Sequence, residues 1–476
     1  MNFASYFFIL IFLPIALIGY HTINGIGKYR AAQFFMLIMS LYFYAYMDIH
    51  YLPVILVSIC FHYVVFLMMR GRTNFALPLL VLGIVFDLGC LFYFKYYNFF
   101  IDSMNAVFKA DWAIREIILP LGISFITFQQ IAFTVDTYKG KIKTCSFLEY
   151  AVFISFFPHL MSGPVITYDD FVPLLRDENR RRLNWDNFAS GLYMFVMGLG
   201  KKVLLADVFG KAADRGYGNI SALNTTTAIF ITFAYTICIY FDFSGYSDMA
   251  VGISRMFNLD LPINFNSPYK SKTIIEFWDR WHITLTKFLT KYIYIPLGGN
   301  RRGEVRMMVN TMIVFVLSGF WHGASWTFVL WGFLHGVFLL FTKKFKKVFE
   351  RIPSALSWLI TMLFVNAAWI LFRAGNFGTF KQMCEVLLSN NWGALNKNIC
   401  NAFGNFILKG IPFIPYWSGI LLYTVISIFI ILKCDNVTKR AEKLRLSWQN
   451  AIFVIMVFVV SLLSFSSVST YIYANF

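Results

Sequence analysis

Long apolar runs, separated by short polar or basic segments, dominate the pattern along this chain. About 20 apolar residues cross the hydrocarbon core of a bilayer, so runs of this length predict membrane-spanning helices. We expect an all-α, polytopic integral membrane protein with about 11–12 transmembrane helices and additional re-entrant or interfacial helices. The charge-poor runs lie near 3–20, 32–47, 51–69, 76–94, 117–135, 187–200, 226–241, 307–321, 325–342, 354–372, 416–432 and 451–468.

Composition and charge agree with a membrane protein. The 476 residues are 58% hydrophobic, 20% aromatic and 14% charged, which is too apolar for a soluble fold. A net charge of +17 would indicate nucleic acid as a partner of a soluble domain, but basic residues follow the first, third and fifth runs, as the positive-inside rule requires. We therefore expect no nucleic-acid partner, a bacterial plasma (inner) membrane location and an N-terminus outside. Lys201 and Lys202 conflict with this topology, so either their helix is short or the pair faces a polar cavity.

The chain is expected to form a single membrane domain. Residues 1–117 supply N-terminal helices, 118–345 the core, and 346–476 C-terminal helices with an outer loop at 375–415. The first apolar run lacks basic residues before it and a small-residue cleavage site after it, so it is interpreted as a retained span. Internal repeats are not evident in the sequence.

The seven cysteines have no spacing typical of a metal or redox site, so no metal centre is expected. Most of these cysteines are interpreted as side chains that pack in apolar surroundings. Cys384 and Cys400 share the predicted outer loop, which leaves a disulfide between them open. The sequence also lacks a glycine-rich phosphate loop and a Gly-x-Ser-x-Gly nucleophile motif.

The stretch from Met307 to Thr342 has no Lys, Arg, Asp or Glu, yet it contains His322 and His335. Its length predicts two short spans with a bend near Gly319–Ala324. A helix that begins at Met307 places His322 about 24 Å along its axis, beyond the middle of the bilayer, where polar groups are costly. A polar side chain at that depth needs a physical reason.

Acidic and asparagine side chains mark a second unusual stretch. Asp242 and Asp248 continue directly out of an apolar run, so we expect their carboxylates to face a protein interior or a water-filled cavity. The segment 261–270 contains two prolines and two asparagines. It predicts irregular backbone that lines a cavity.

Residues 274–294 predict one amphipathic helix at the inner membrane interface. Trp278 and His282 are four residues apart, and Asp279 and His282 are three apart. On a continuous helix this spacing places the three side chains on one face.

Several ordered motifs resemble those of the membrane-bound O-acyltransferase (MBOAT) family, over roughly residues 120 to 340. The Pro-Leu-Gly-Gly-Asn-Arg stretch and the overall length are similar to the bacterial branch that O-acetylates alginate and other exported polysaccharides. The D-alanyl transfer proteins of teichoic acid modification are shorter and match that stretch less well. The motifs are Phe156–Pro164, Ile275–Leu285, Tyr292–Arg301, Gly319–Ala324 and Leu330–Gly336.

The resemblance implies an enzyme in which two histidines act. In the family, the histidine of the Trp-His-Gly motif, here His322, is the catalytic candidate, and that of Trp-x-Arg-Trp-His, here His282, lies on the path to it. Asp279 stands where the family often has a basic or polar residue. Acyl transfer from a thioester to a hydroxyl requires removal of the hydroxyl proton, for which imidazole suits neutral pH. We expect His322 to be the base or a transient acyl carrier, and His282 to orient or relay.

The resemblance also implies substrates and partners. We expect a cytosolic thioester, acetyl-CoA or another, as donor, no bound cofactor, and a polysaccharide hydroxyl outside the membrane as final acceptor. A central tunnel open at both ends would let both substrates reach the site. An extracellular or periplasmic acetyltransferase is the expected partner, beside membrane lipid. The sequence does not determine whether the polymer is alginate, another exopolysaccharide or peptidoglycan. The acyl chain length also stays open.

Other candidates have simpler explanations. His335 is as readily explained by helix packing beside Gly332 and Gly336, and His159 by capping of a re-entrant segment that ends at Gly163-Pro164. Five side chains are expected to support the site: Trp321, Trp278, Asp279, Asp248 and Asn310. Four basic residues are candidates for donor phosphates, although the positive-inside rule also explains them: Arg301, Arg302, Lys270 and Lys272.

Three alternative functions remain on the sequence alone. One is transfer of D-alanyl or another acyl group to a cell-wall polymer. Another is a transporter or flippase of an acylated sugar, with Asp242 and Asp248 as a relay, although transporters commonly contain repeats. A third is a scaffold without chemistry of its own. A scaffold should tolerate His322→Ala, whereas an enzyme should not.

Overall fold

The computed structural model describes residues 1–70, 74–161, 163–404 and 418–465. Within these ranges every regular element is a helix, which confirms the all-α prediction. In the described ranges, seven helices are long and apolar enough to cross a membrane. They are Phe8–Gly25, Ile49–Met69, Ala76–Phe108, Thr225–Met256, Glu304–His322, Trp326–Lys344 and Ser354–Ala374.

Other helices connect and flank these spans. Ser418–Lys433 and Trp448–Leu463, of 16 residues each, are apolar but shorter. The other α-helices are Tyr29–Met47, Ile123–Tyr138, Phe147–Ser155, Phe157–Leu160, Tyr168–Arg176, Trp185–Gly200, Asp207–Gly218, Ile274–Arg280, Ile283–Leu289, Lys346–Arg351, Phe377–Leu388, Lys397–Cys400 and Val437–Glu442. Short π-helical segments occur at Phe8–Phe12, Phe92–Tyr96, Lys201–Ala206 and Thr290–Tyr294.

The apolar runs give fewer long helices than the 11–12 expected from the pattern. The run at 117–135 becomes helical only from Ile123, because Gly122 adopts a left-handed conformation, with φ 73°, just before it. The run at 187–200 does not end in a loop, since its helix continues through the π-helical segment Lys201–Ala206 into the next helix. By contrast, the two spans predicted between Met307 and Thr342 are confirmed, with a break at residues 323–325.

Some predicted features lie outside the described residues. These are residues 405–415 of the outer loop, the start of the run at 416–432, the end of the run at 451–468, and Ser162 of the motif Phe156–Pro164. The division of the chain at 117 and 345 stays a prediction. The disulfide considered between Cys384 and Cys400 is not formed: both thiols are free, and they belong to separate helices.

The chain divides into two compact units. The first contains Met1–Phe195 and Ser247–Pro262. Aromatic rings fill its core, and the centroids of Phe8, Phe12, Phe43 and Phe157 lie 5.2 to 6.1 Å apart. Such rings bury a large apolar area and fix the relative positions of the helices that carry them.

The second unit contains Val196–Tyr246 and the described chain from Ile263 onward. Its helices Glu304–His322 and Trp326–Lys344 approach each other closely through two glycines. A Cβ on Gly319 would overlap the carbonyl oxygen of Phe328, and one on Gly332 would overlap that of Phe315. Small residues at such an interface let helix backbones approach in a membrane, so this hairpin carries His322 on a closely packed support.

A buried ion cluster accounts for Lys202, one of the two lysines that conflict with the predicted topology. The Lys202 ammonium lies 2.6 Å from a carboxylate oxygen of Asp242 and 2.9 Å from one of Asp207. All three side chains are at most 3% exposed. Lys202 therefore points into the protein, where it partners the intramembrane Asp242, and it does not report which side of the membrane its helix end faces.

Candidate active site

The helix predicted over residues 274–294 is wrong, because it is broken at His282. This residue has φ 46° and ψ 50°, which is left-handed and cannot belong to a right-handed helix. One helix therefore ends at Arg280 and the next begins at Ile283. Trp278, Asp279 and His282 consequently do not share one helical face.

Asn264, in the predicted irregular segment, holds this break. Its carbonyl oxygen accepts a hydrogen bond from the Ile283 N–H at 3.0 Å, and two residues later the Asn266 N–H donates to the Arg280 carbonyl at 2.9 Å. These bonds lay segment 264–266 beside residues 280–283. The Asn264 side chain adds a bond to the Thr284 N–H, at 3.2 Å. Polar groups freed by the helix break thus find partners.

The histidines of the two motifs come together in the second unit. The ring centroids of His282 and His322 lie 6.2 Å apart, and the two residues are 0% and 1% exposed. His322 is the last residue of helix Glu304–His322, and Gly323 continues in an extended conformation. Both candidates for catalysis therefore sit at helix ends, where backbone and side chain are not enclosed by further turns.

Aromatic rings enclose both imidazoles. Around His322, the centroids of Trp321, Trp331 and Phe372 lie 5.0, 5.3 and 5.4 Å away. The Phe243 ring lies 4.8 Å from that of His282, edge to face. This wall excludes bulk water from the rings, and in such a site electrostatic interactions are stronger than in solvent. Trp321 is thus next to His322 in space, and its supporting role stays a prediction.

His335 lies one step further along the same hairpin and has a structural partner. The Trp278 indole N–H donates to His335 Nδ1 at 3.3 Å. His335 is fully buried, and its ring lies 4.7 Å from that of Trp331. Trp278, expected to support the site, therefore binds the third histidine.

The remaining supporting candidates have separate positions. Asn310 is buried and donates to the carbonyl oxygens of Gly299 at 2.9 Å and Leu297 at 3.3 Å, so it fixes the glycine-containing loop before its helix. Asp279 is exposed and lines a cavity of about 210 Å³ that Ser318 also lines. Asp248 belongs to the first unit, where it is buried.

The four basic candidates for donor binding differ in their surroundings. Arg301 and Arg302 are exposed. The Lys270 ammonium donates to the Cys434 carbonyl at 2.7 Å, and that of Lys272 donates to the Ser354 hydroxyl at 3.1 Å. The lysines therefore have structural partners, and a role of any of the four in donor binding stays a prediction.

His159 lies in the first unit, in the short helix Phe157–Leu160. It is buried, and the Gln129 amide N–H donates to its Nδ1 at 3.1 Å. The Gly163 N–H donates to the His159 carbonyl at 3.2 Å. These bonds agree with a structural role of His159 in the segment that ends at Gly163-Pro164.

Sequence reasoning missed Asn264 as a site residue. The sequence predicts only irregular backbone for its segment, and the signal for Asn264 is the polar Pro-Ile-Asn-Phe-Asn pattern between apolar stretches. Among the described residues, no group of three or more His, Cys, Asp or Glu side chains is arranged to hold a metal ion.

Comparisons with known proteins place the chain in a family. It matches the model of MBOAT, the membrane-bound O-acyltransferase family, over residues 36–377. That range is longer at both ends than the stretch covered by the motifs, and it includes residues 36–119 before them.

Relatives agree with this match. The chain is 39% identical to the peptidoglycan O-acetyltransferase of Helicobacter pylori, over 81% of this chain and 79% of that protein. It is 37% identical to the probable alginate O-acetylase AlgI of Pseudomonas aeruginosa, over 85% and 78%. The teichoic acid D-alanyltransferase of Bacillus subtilis is 28% identical, over 55% and 71%. The chain therefore belongs to the membrane-bound O-acyltransferase family and is a multi-pass membrane acyltransferase.

Proposed function

We propose that this protein moves an acetyl group from a cytosolic thioester, acetyl-CoA, towards a hydroxyl on the outer side of the bacterial inner membrane. The observation that supports this most directly is the pair of buried histidines, His282 and His322, whose rings lie 6.2 Å apart inside an aromatic wall. At this distance both imidazoles can act on one reacting group at the same site.

Both imidazole rings have a role in this reaction. As the hydroxyl oxygen attacks the thioester carbonyl, the C–O bond forms, the C–S bond breaks, and the hydroxyl proton passes by way of imidazole to the departing sulfur. His322 serves as the base, or as a nucleophile that carries the acyl group between two successive transfers. His282 orients His322 or relays the proton.

The acceptor is proposed from the relatives. One is named for O-acetylation of peptidoglycan and another for O-acetylation of alginate, so an exported polysaccharide or the cell wall is the acceptor class. A separate extracytoplasmic transferase would complete the modification. The N-terminus is proposed to lie outside, with Arg301 and Arg302 on the donor side, where they would attract the phosphates of coenzyme A.

The small cavity beside Trp278 and Asp279 offers space for the acyl end of the donor. Its volume is about 210 Å³, and hydroxyl groups contribute to its lining. Ser318, on that lining, lies one helical turn before His322. This proximity to His322 supports the cavity as the place of the acyl end of the donor.

The test is release of free coenzyme A from acetyl-CoA by the purified, detergent-solubilised protein. We expect turnover by the wild type, loss in His322→Ala and His282→Ala, and slower turnover of a long-chain acyl-CoA. His50→Ala is the matched control, since that imidazole is 87% exposed and should not affect the rate. An undiminished rate in His322→Ala would refute the catalytic assignment.

D-alanyl transfer is the second candidate, because a D-alanyltransferase also matches part of the chain. Such transfer would use a D-alanyl thioester, so the same assay with that donor distinguishes the two. Turnover of D-alanyl thioester and none of acetyl-CoA would replace the acetyl proposal with this one.

A further inference from the structure

We infer that Asn264 is a positioning residue that fixes the protonation of His282, with the proton on Nδ1 and the free electron pair on Nε2. The inference rests on the proposed function for its catalytic meaning. It rests on hydrogen-bond geometry alone for the assignment of the proton.

The first step identifies which atom of the Asn264 amide faces His282. The Thr284 backbone N–H, which can only donate, lies 3.2 Å from the side-chain atom assigned as Oδ1. An amide NH₂ at that place would oppose another donor, so the atom is the oxygen. The Thr284 hydroxyl donates to the same oxygen at 2.9 Å.

The second step follows from the chemistry of that oxygen. His282 Nδ1 lies 3.1 Å from Asn264 Oδ1. A carboxamide oxygen only accepts, so Nδ1 must carry a hydrogen to make this bond. The other ring contacts of His282 include Phe243 and Trp321, and a cation buried among neutral groups is costly. The ring is therefore neutral, and Nε2 has the electron pair.

The third step concerns the second ring nitrogen. His282 Nε2 is buried and has no hydrogen-bond partner in the described part of the chain. With the proton on Nδ1, this nitrogen is a hydrogen-bond acceptor beside His322, so a group with a proton to donate can bind there. The acceptor hydroxyl of the proposed reaction is such a group.

Asn264 acts on the backbone of His282 as well as on its ring. Its carbonyl oxygen accepts from the Ile283 N–H, the bond that accompanies the left-handed conformation of His282. One residue therefore fixes where the imidazole stands and which nitrogen is basic. By contrast, Trp278 donates to His335 Nδ1, which places the proton of that ring on Nε2 and leaves its Nδ1 occupied.

The assignment can be tested without any enzyme activity. Protein labelled with ¹⁵N in histidine is reconstituted in lipid nanodiscs, and the His282 signals are identified by their loss in His282→Gln. We expect a protonated Nδ1 and an unprotonated Nε2 in the wild type and in Thr284→Val, which keeps the Asn264 amide. An Nε2–H signal in the wild type would overturn the inference, whatever the turnover assay gives.

The catalytic meaning is tested by three variants assayed beside the wild type. Asn264→Leu should lower kcat by about 100-fold with little change in KM, since acid–base assistance is typically of this size. Asn264→Asp keeps an acceptor and should recover most of kcat. The acid limb of the pH–rate profile of Asn264→Asp should move to higher pH, because a carboxylate stabilises the imidazolium.

Asn266→Ala is the matched control, since it lies in the same segment and its backbone, not its side chain, bonds to the chain at Arg280. It should retain wild-type kcat. Equal kcat in Asn264→Leu and wild type, with both proteins folded, would overturn the positioning role. A wild type without any acyltransfer, but with the expected ¹⁵N signals, would instead refute the proposed function and leave the proton assignment in place.

Discussion

The imidazole rings of His282 and His322 lie 6.2 Å apart, and each stands at the end of a helix. His282 precedes the first residue of one helix, and His322 is the last residue of another. Helix ends carry side chains and backbone groups that are not fixed by a full ladder of hydrogen bonds. Hydrogen bonds from Asn264 hold one of these ends, and the glycine-packed hairpin holds the other.

The pair should behave as a unit in kinetics. We expect His282→Ala and His322→Ala each to lower kcat/KM by about 10² to 10⁴-fold, since both remove acid–base assistance. The kcat/KM of the double variant should be at most about tenfold below that of the less active single variant, because the effects of groups that act together are not additive. Steady-state assays of the four proteins test this. Fully multiplicative losses would mean that the rings act independently.

His335 should be structural. In His335→Gln the new amide oxygen can accept from the Trp278 N–H, so we expect turnover within about tenfold of wild type and a loss of roughly 1 kcal/mol in stability. His335→Leu leaves that buried N–H without an acceptor and should lose about 1 to 3 kcal/mol. Thermal unfolding followed by size-exclusion fluorescence compares them. A stable but inactive His335→Gln protein would make His335 catalytic.

Apolar run lengths predicted the helical class and the hairpin around His322, because run length is a local property. The family resemblance indicated His282 and His322, and the structure brings their rings together. The prediction from the sequence failed at His282. Residues 274–294 contain neither Pro nor Gly, so no local signal interrupts the helical pattern. The break depends on hydrogen bonds from Asn264, which is distant along the chain, and tertiary contacts of this kind override local propensity.

Buried pairs in the spans were missed for a related reason. His62 Nε2 lies 2.9 Å from Asp87 Oδ1 and its Nδ1 lies 3.1 Å from the Thr134 hydroxyl. Each of these residues lies on a different helix. The sequence marks a polar residue in each apolar run, but it does not say which runs are neighbours, so the partner of each polar group could not be assigned.

The hairpin should be sensitive to single methyl groups. Gly319→Ala and Gly332→Ala each place a Cβ against a backbone carbonyl of the facing helix. We expect each to lose about 1 to 3 kcal/mol in stability, and activity with it, since a closely packed interface does not accept added volume. Gly89→Ala is the control, because its Cβ meets no atom within 4 Å. Equal melting temperatures for Gly319→Ala and Gly89→Ala would contradict the packing argument.

The buried ion cluster makes a prediction on stability. Lys202→Met leaves the carboxylates of Asp207 and Asp242 together without their shared cation, so the loss should be about 3 to 5 kcal/mol. Adding Asp207→Asn and Asp242→Asn should recover part of it. Lys346→Met is the control, since its ion pair with Glu350 is largely exposed and contributes little. Unfolding in detergent would show no difference between the two lysine variants if the cluster were unimportant.

Glu149 should make stability depend on pH. Hydrogen bonds from Arg176 at 2.6 and 2.8 Å lower the pKa of Glu149 to about 2. A lowered acid pKa stabilises the fold above the unfolded-state value, about 4.3, and this stability is lost as pH falls towards 2. At pH 7 the free energy of unfolding of Glu149→Gln should therefore be roughly 1 to 2 kcal/mol below that of wild type. This difference should shrink below about pH 4. Glu385→Gln, with an exposed partner, should match wild type throughout. A Glu149→Gln gap that stays constant from pH 7 to 3 would exclude the ion pair as its cause.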